Sequence, residues 1–329
     1  MSSYTVACRF LLQEAQKASM LQPKNPSSRV RAGDSLKLSL LRLSFALGGR
    51  LAPQRTVNRA ARLFATPRAS SRSRARTANN NSQVRRGEIS VGNRTIATYV
   101  WGNPENQPYA LLVHGWSSFG LRFLPWVTRL RAAGLAVVAF DQPGHGYSTG
   151  DFCTIPDFVT TIRAVGRCYG NPAVSIGHSL GGTALTLAQS EDWHAERIVV
   201  VAPPADLEAA ADRFMRFVRL GGHLRGRFLS WLERTIGKSV EEFHIRQHLR
   251  SLGLPCLIVH DIDDLEVPWG DGESYARHWH SSRLLTTQGL GHHEVLDAPE
   301  VIDATLAFLG GARVGKRVVG SPNLPFGLA

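Results

Sequence analysis

One nine-residue stretch, Val174–Gly182, constrains the fold of this chain more than any other. A short run rich in β-branched residues ends in the pattern Gly-x-Ser-x-Gly at residues 177–181, and an alanine- and leucine-rich segment follows directly. This pattern is typical of a strand that turns sharply into a helix, with glycines where a Cβ atom would clash. The stretch therefore predicts an exposed hydroxyl on Ser179, a candidate nucleophile at the carboxyl end of a strand. A plain turn of small residues is the alternative.

The distribution of charge separates the beginning of the chain from the rest. Residues 1–87 hold 17 of the 38 Lys and Arg residues but only two of the 26 acidic residues, Glu14 and Asp34. The formal net charge of +12 therefore belongs to an N-terminal arm, and the remainder of the chain is slightly acidic. This distribution argues against a basic nucleic-acid-binding domain, which would carry its positive charge on the folded surface.

The arm has helical patterning in its middle. One or two amphipathic helices, interrupted at Gly48-Gly49 and Pro53, are predicted because leucine recurs at helical spacing, at Leu36, Leu40, Leu43, Leu47 and Leu51. We expect residues 1–35 to be disordered and residues 36–87 to form this helical arm and a polar linker. Packing against the rest of the chain is the favoured role, and membrane-surface contact or organelle targeting are the alternatives. Because neither a membrane-spanning run nor a compact signal peptide occurs, we expect a cytoplasmic protein.

From Glu88 onward, short apolar strands alternate with helices. A hairpin around Gly92 comes first. The later strands begin near Ala110, Ala136, Ala173, Arg197, Cys256 and Arg283. Wholly apolar strands separated by helices are typical of a mostly parallel sheet that is covered by helices on both faces. We predict an α/β domain over residues 88–311, with the hairpin adding antiparallel strands at one edge, and a C-terminal tail over residues 312–329.

One segment, residues 205–254, interrupts this alternation with helical periodicity alone. It begins at the carboxyl end of a predicted strand, where open α/β sheets bind ligands. We interpret the segment as a lid of two or three helices. An ordinary insertion away from the site is the alternative.

A serine nucleophile needs a base, which histidine most often supplies. Of the 12 histidines, His292 has the most suggestive context, because it follows a predicted strand in the sequence Gly-Leu-Gly-His and precedes a helix. That position places it on a loop at the carboxyl edge of the sheet, on the same side as Ser179. The neighbouring His293 is the main competitor.

The base in turn needs an acidic partner that fixes its tautomer. The loop after the strand at Cys256 offers Asp261, Asp263 and Asp264, all of which lie between the serine and the histidine in the chain. Asp206, after the preceding strand, is a further candidate.

Two N–H groups must also stabilise a developing oxyanion. One is expected from Leu180, which follows the candidate nucleophile at the start of a helix. The other is expected from Trp116, in the loop after the first parallel strand, where Gly115 lets the backbone approach closely.

Together these motifs resemble those of the α/β hydrolases, in their lidded esterase and lipase branch. The matching segments are Leu112–Trp116, Phe140–Ser148, Gly177–Gly181 and Gly291-His292. The resemblance covers residues 88–311. It implies a mostly parallel eight-stranded sheet with helices on both faces and a helical lid inserted after the sixth strand.

The resemblance also implies roles for individual residues. The family's acid motif, Gly-x-x-Asp-x-x-Val-Pro, aligns on Val267-Pro268 and so points to Asp264. Asp261 stands where the family usually has glycine, which keeps Asp261 and Asp263 as alternatives. Because Ser179 occupies the nucleophile position, the dehalogenases and epoxide hydrolases of this fold, which carry aspartate there, do not fit. Structural or pocket-shaping roles are implied for His114, Asp141, His145 and His178.

These residues lead to one functional hypothesis, a serine hydrolase that cleaves a carboxylic ester or a related acyl compound through an acyl-enzyme intermediate. No cofactor is expected, because the chain lacks nucleotide, flavin and metal-ligand motifs and its four cysteines lack metal-ligand spacing. The expected partner is a small acyl substrate and not a nucleic acid. The alternatives are a non-catalytic binding protein of the same fold and a membrane-associated protein that acts through its basic arm.

Overall fold

A computed structural model of the protein describes residues 32–78, 84–189 and 193–318. Contacts between residues divide the chain into two compact units, with the boundary between Leu43 and Ser44. The disorder predicted for residues 1–35 falls almost entirely outside the described residues, as does the end of the predicted tail beyond residue 318.

One sheet organises the described residues. Its strands are β1 (Arg85–Val91), β2 (Arg94–Trp101), β3 (Tyr109–Val113), β4 (Ala136–Phe140), β5 (Val174–His178), β6 (Ile198–Val201), β7 (Cys256–Asp261) and β8 (Ser282–Thr287). They lie in the order β1-β2-β4-β3-β5-β6-β7-β8. β2 pairs antiparallel with β1 and β4, and every other pair in the sheet is parallel. The prediction of a mostly parallel sheet with an antiparallel hairpin at one edge is confirmed.

Helices connect and cover these strands. The described helices are α1 (Ala32–Leu51), α2 (Pro53–Phe64), α3 (Ser70–Thr77), α4 (Leu124–Ala132), α5 (Ile155–Tyr169), α6 (Leu180–Ala188), α7 (Leu207–Val218), α8 (Arg225–Ile236), α9 (Ile245–Leu249), α10 (Trp269–His278), α11 (Gly291–Glu294) and α12 (Pro299–Leu309). Short 3₁₀ turns lie at Gly120–Phe123, Gly222–Leu224 and Val240–Phe243.

The central strands are buried on both faces. β3, β4, β5 and β6 are buried along their whole lengths. Successive residues point to opposite sides, so that Val138 and Val200 belong to the core on one face while Val137 and Val199 belong to the core on the other. A strand covered on both faces has no polar side, which explains the continuous apolar runs in the sequence. Because these strands are parallel, the loops at their carboxyl ends meet along one edge.

The segment between β6 and β7 is a helical insertion that contains α7, α8 and α9. The helices fall where the periodicity predicted them. Asp206 caps the start of α7, because its carboxylate accepts a hydrogen bond from the N–H of Glu208 at 2.7 Å. Such a cap satisfies an N–H group at the start of the helix.

The arm is more regular than its composition predicted. α1 continues through Gly48-Gly49, where a Cβ atom on Gly48 would lie 2.7 Å from Thr56 Oγ1. The glycine therefore serves a close contact and does not end the helix. α3 forms where a polar linker was predicted, because Ser71 and Ala75, one turn apart, are buried. Burial of this face outweighs a composition that favours a linker.

The leucine stripe of α1 is exposed. Leu47 and Leu51, for example, are 49% and 84% exposed. The arm packs instead through small residues of α2, among them Val57, Ala60 and Ala61, which are fully buried. None of the described helices, including the 20-residue α1, is long and apolar enough to cross a membrane.

Candidate active site

The turn between β5 and α6 holds Ser179 in a strained backbone conformation. Its φ is 52° and its ψ is −130°, a region that side chains other than glycine rarely adopt. A Cβ atom on Gly181 would lie 2.4 Å from the carbonyl oxygen of His114, and one on Gly177 would lie 2.6 Å from the Cα of Gly182. Both glycines are therefore required by backbone contacts, as the sequence pattern predicted.

A continuous chain of hydrogen bonds links the serine to a histidine and an aspartate. His292 Nε2 lies 3.0 Å from Ser179 Oγ. His292 Nδ1 lies 2.7 Å from Asp264 Oδ2. If Nδ1 carries the proton and donates it to the carboxylate, the lone pair of Nε2 is free to accept the serine hydroxyl. The arrangement can thus take a proton from Ser179 and hold the resulting charge beside an anion.

The other candidate acids make different contacts. Asp261 Oδ2 accepts from Thr287 Oγ1 at 2.7 Å and from the N–H of Leu290 at 3.1 Å. Asp263 accepts from the N–H of Gly289 at 3.0 Å. Asp206, the fourth candidate, is the cap of α7. Among the described residues, Asp264 is the candidate that meets the histidine.

The surroundings of Asp264 favour its ionised form. Burial raises the pKa of this carboxyl, but hydrogen bonds from His260 and His292, and the positive charge that the His292 ring carries when protonated, hold the pKa well below its usual range. The N–H groups of Glu266 and Val267 each donate to Oδ1 at 2.8 Å. His260 Nε2 lies 3.5 Å from Oδ2. No sequence pattern pointed to His260, which lies on β7 four residues before the acid.

Two further histidines flank His292 without entering the chain of hydrogen bonds. His178 Nε2 lies 2.9 Å from the carbonyl oxygen of His292, and burial together with the nearby His292 lowers the pKa of His178 to about 3. A neutral His178 donates one N–H to that carbonyl and holds the backbone of α11. His293, the competing base, instead pairs with Glu266 at 3.0 Å, and its side chain is 61% exposed. The hydrogen bond that His293 donates to Glu266 is the main reason that the pKa of His293 is raised.

The loop after β3 lies directly against the serine turn. A Cβ atom on Gly115 would come within 2.9 Å of Ser179 Cβ. Among the described residues, none accepts a hydrogen bond from the N–H of Trp116 or of Leu180. Both groups are therefore available to a ligand, as an oxyanion hole requires. The Trp116 ring packs on Phe158 of α5, with ring centroids 6.3 Å apart.

Two buried histidines brace this loop. His114 Nε2 accepts from the N–H of Gln142 at 2.9 Å, and His145 Nε2 accepts from the N–H of Ser117 at 3.0 Å. Burial is the main cause that lowers the pKa of both rings, to about 4 for His145. Neutral rings can accept at Nε2 while Nδ1 donates to a backbone carbonyl, of Gly115 and Pro143 respectively.

Asp141 anchors the loop after β4. Its buried carboxylate accepts from Tyr99 Oη at 2.7 Å and from the N–H groups of Gly120 at 2.6 Å and Tyr147 at 2.8 Å. Burial raises the pKa of Asp141, and these hydrogen bonds oppose the rise. The residue thus ties β2, β4 and the start of the Gly120–Phe123 turn together below the site.

The Tyr99–Asp141 hydrogen bond gives a stability prediction. Tyr99→Phe is expected to lower the free energy of unfolding by about 1.5–3 kcal/mol, because it removes a donor to a buried, charged acceptor. Tyr109→Phe is the matched control, since it removes a buried hydroxyl that donates to the carbonyl of Gly170 at 2.6 Å. That neutral hydrogen bond should cost only about 0.5–1.5 kcal/mol. Urea denaturation measures both, and an equal loss in the two variants would contradict a charged Asp141.

The chain is similar to known proteins both in sequence and in fold. Residues 104–248 match the family model of serine aminopeptidases of the S33 type. The pimeloyl-[acyl-carrier protein] methyl ester esterase of Xanthomonas axonopodis pv. citri is 34% identical over 154 residues, which cover 44% of this chain and 58% of that protein. The chain thus matches less than two thirds of the length of this relative.

Solved structures share the fold at low sequence identity. Mouse alpha/beta hydrolase domain-containing protein 10 aligns with a TM-score of 0.55 at 16% identity, covering 69% of this chain and 97% of that structure. A thermophilic esterase from Thermogutta terrifontis aligns with a TM-score of 0.52 at 18% identity, covering 69% and 98%. The sheet order and these structures show that the chain has the α/β-hydrolase fold.

Proposed function

We propose that this protein is a serine hydrolase that cleaves a carboxylic ester through an acyl-enzyme intermediate. Ser179 is the nucleophile, His292 the general base and Asp264 the acid that orients and stabilises the imidazolium. The observation that carries the proposal is the unbroken chain from Asp264 Oδ2 to His292 Nδ1, at 2.7 Å, and from His292 Nε2 to Ser179 Oγ, at 3.0 Å.

The reaction proceeds in two halves. Ser179 Oγ attacks the acyl carbonyl while its proton passes to His292 Nε2, and the oxygen of the tetrahedral intermediate accepts from the N–H groups of Trp116 and Leu180. Collapse of the intermediate breaks the bond to the alcohol, which leaves with the proton from His292. In the second half, water gives its proton to His292 and attacks the acyl-enzyme, and the acid product leaves as Ser179 regains its proton.

The relatives support an acyl carbonyl as the target, and an ester over an amide. The S33 family name describes aminopeptidases, whereas the Xanthomonas relative is named for a methyl ester on an acyl carrier protein. We favour the ester because that relative retains 34% identity over 154 residues. We further propose that the helical insertion acts as the lid and, with the loops at the carboxyl edge, binds the acyl chain, since ligands of open α/β sheets bind there.

A substrate panel tests the proposal. Purified protein is incubated with p-nitrophenyl esters of graded acyl length, with dimethyl pimelate and with amino-acid p-nitroanilides. We expect hydrolysis of the esters with a burst of p-nitrophenol equal to the enzyme concentration, and intact-mass spectrometry should detect an enzyme heavier by one acyl group. Turnover of the anilides alone would favour a peptidase. No turnover and no acylation of any compound would favour a non-catalytic binding protein.

A further inference from the structure

Ser117, directly after the proposed oxyanion donor Trp116, is held in a strained conformation. Its φ is 53°, in the left-handed region that residues other than glycine seldom adopt. Such a conformation persists only where the surroundings enforce it. The contacts that enforce it also determine where the Trp116 N–H lies, because the two residues are adjacent in one tight loop.

Three hydrogen bonds hold Ser117, one at each of its polar groups. Its N–H donates to His145 Nε2 at 3.0 Å. Its Oγ accepts from the backbone N–H of Arg68 at 2.9 Å. Its carbonyl oxygen accepts from Arg74 Nη2 at 2.7 Å. Two of the three partners come from the N-terminal arm, which the sequence assigned to a region outside the hydrolase domain.

The arm is itself fixed at this place. Ala75 is buried in the same core cluster as Phe119, a residue of the loop that follows Ser117. The Arg74 guanidinium carbon lies 5.8 Å from the centre of the Phe119 ring. On the opposite side of α3, Arg72 donates to the carbonyl oxygen of Gly150. A segment fixed on both sides can impose a position on the loop that it touches.

We propose that Arg74, together with the backbone of Arg68, is a positioning residue for the hydrolytic reaction: it clamps Ser117 and thereby fixes the Trp116 N–H at the place where the oxyanion forms. The proposal rests on the function proposed above, since it needs an oxyanion. The arm then contributes to catalysis, because it fixes the position of an oxyanion donor. A misplaced donor costs transition-state stabilisation and leaves substrate binding largely unchanged.

The test compares Arg74→Ala with Arg76→Ala, in the full-length protein, on a p-nitrophenyl ester. Arg76 is the matched control because it is an exposed arginine of the same helix. We expect Arg74→Ala to lower kcat on the order of tenfold with KM within about twofold, a smaller loss than the 10²–10³ that follows complete removal of an oxyanion donor. Arg76→Ala should match the wild type, and Arg74→Lys should recover part of kcat by donating to the same carbonyl.

A second measurement shows whether Arg74 positions the Trp116 N–H or only attaches the arm to the loop. Affinity for a trifluoromethyl ketone, which forms an oxyanion adduct on the serine, should fall in Arg74→Ala by the same factor as kcat/KM. Ser117→Ala, which removes the Oγ contact without altering the arm, should show a smaller loss of kcat. The melting temperature of each variant shows whether it is folded at the assay temperature.

A failure of the positioning proposal and a failure of the proposed function would give different results. If Arg74→Ala keeps the wild-type kcat and ketone affinity, or changes only KM or the melting temperature, the positioning proposal is wrong and the proposed function stands. Should Arg74→Ala not fold, an unchanged kcat in Ser117→Ala would overturn the proposal in its place. If Ser179→Ala retains hydrolysis, the proposed function itself fails.

Discussion

Replacement of Ser179 by alanine is expected to lower kcat about 10⁶-fold and to abolish ester hydrolysis above background. The hydroxyl oxygen at 3.0 Å from His292 Nε2 is the group that forms the acyl-enzyme, and the alanine methyl has no lone pair with which to attack. Because alanine has a Cβ atom in the same place as serine, the strained turn should fold as before.

Two measurements check this prediction. A fluorophosphonate probe should label the wild type and not Ser179→Ala, and a steady-state assay should give the loss in kcat. Equal labelling of both proteins would show that another residue is the nucleophile.

His292→Ala should be as inactive as Ser179→Ala, because residues that act as a unit do not contribute additively. His293→Ala is the control for it and should keep activity, since its side chain pairs with Glu266.

Asp264→Asn is expected to lower kcat about 10⁴-fold. An asparagine can accept a hydrogen bond from His292 only through its carbonyl oxygen, and its NH₂ group favours the tautomer in which Nε2 carries the proton. That tautomer cannot accept the proton of Ser179. In the wild type, the backbone N–H groups of Glu266 and Val267 donate to Asp264 Oδ1. In the asparagine variant, these groups would compete with His292 for the one amide oxygen.

Asp263→Asn is the matched control, because its carboxylate lies one residue away and binds the N–H of Gly289. It should keep activity within about threefold, as expected for a group that touches neither the nucleophile nor the base. Equal losses in Asp263→Asn and Asp264→Asn would mean that the loop as a whole, and not one carboxylate, supports the histidine.

The pH dependence of the free energy of unfolding should reveal the charge on Asp264. The folded-state pKa of Asp264 is lowered, so its charge stabilises the protein above the unfolded-state value of about 3.9, and the contribution is lost as the pH falls toward the folded-state pKa. The difference in the free energy of unfolding between wild type and Asp264→Asn should therefore shrink below about pH 4. Urea denaturation at several pH values measures it, and a difference that grows on acidification would contradict the assignment.

The sequence predicted the features that depend on local pattern. Runs such as Ala136–Phe140 and Ile198–Val201 are apolar at every position, and that pattern identifies a strand buried on both faces before its partners are known. The glycines of the serine turn were predictable for the same reason, since a sharp strand-to-helix turn has no room for Cβ atoms. The order of strands and helices followed from these elements.

The arm was the main element that the sequence misassigned. Its serine and arginine content indicated a linker, and α3 forms there because Ser71 and Ala75 are buried against the rest of the chain. No local sequence pattern could predict the hydrogen bond between Arg74 and Ser117, because the two residues lie 43 positions apart in the chain. Intrinsic propensity is a weak guide wherever burial of one helical face decides the outcome.

The sequence by itself thus determined the fold class, the strand-to-helix turn at Ser179 and the short set of residues able to support it. The family's acid motif already pointed to Asp264, but only the tertiary structure shows which carboxylate meets His292, because three aspartates lie within four residues. Side-chain direction, set by the turn after β7, sends Asp264 to His292 and Asp261 to Thr287. A hydrogen bond needs its atoms within a few tenths of an ångström of the right place, and that precision arises from packing between segments far apart in the chain.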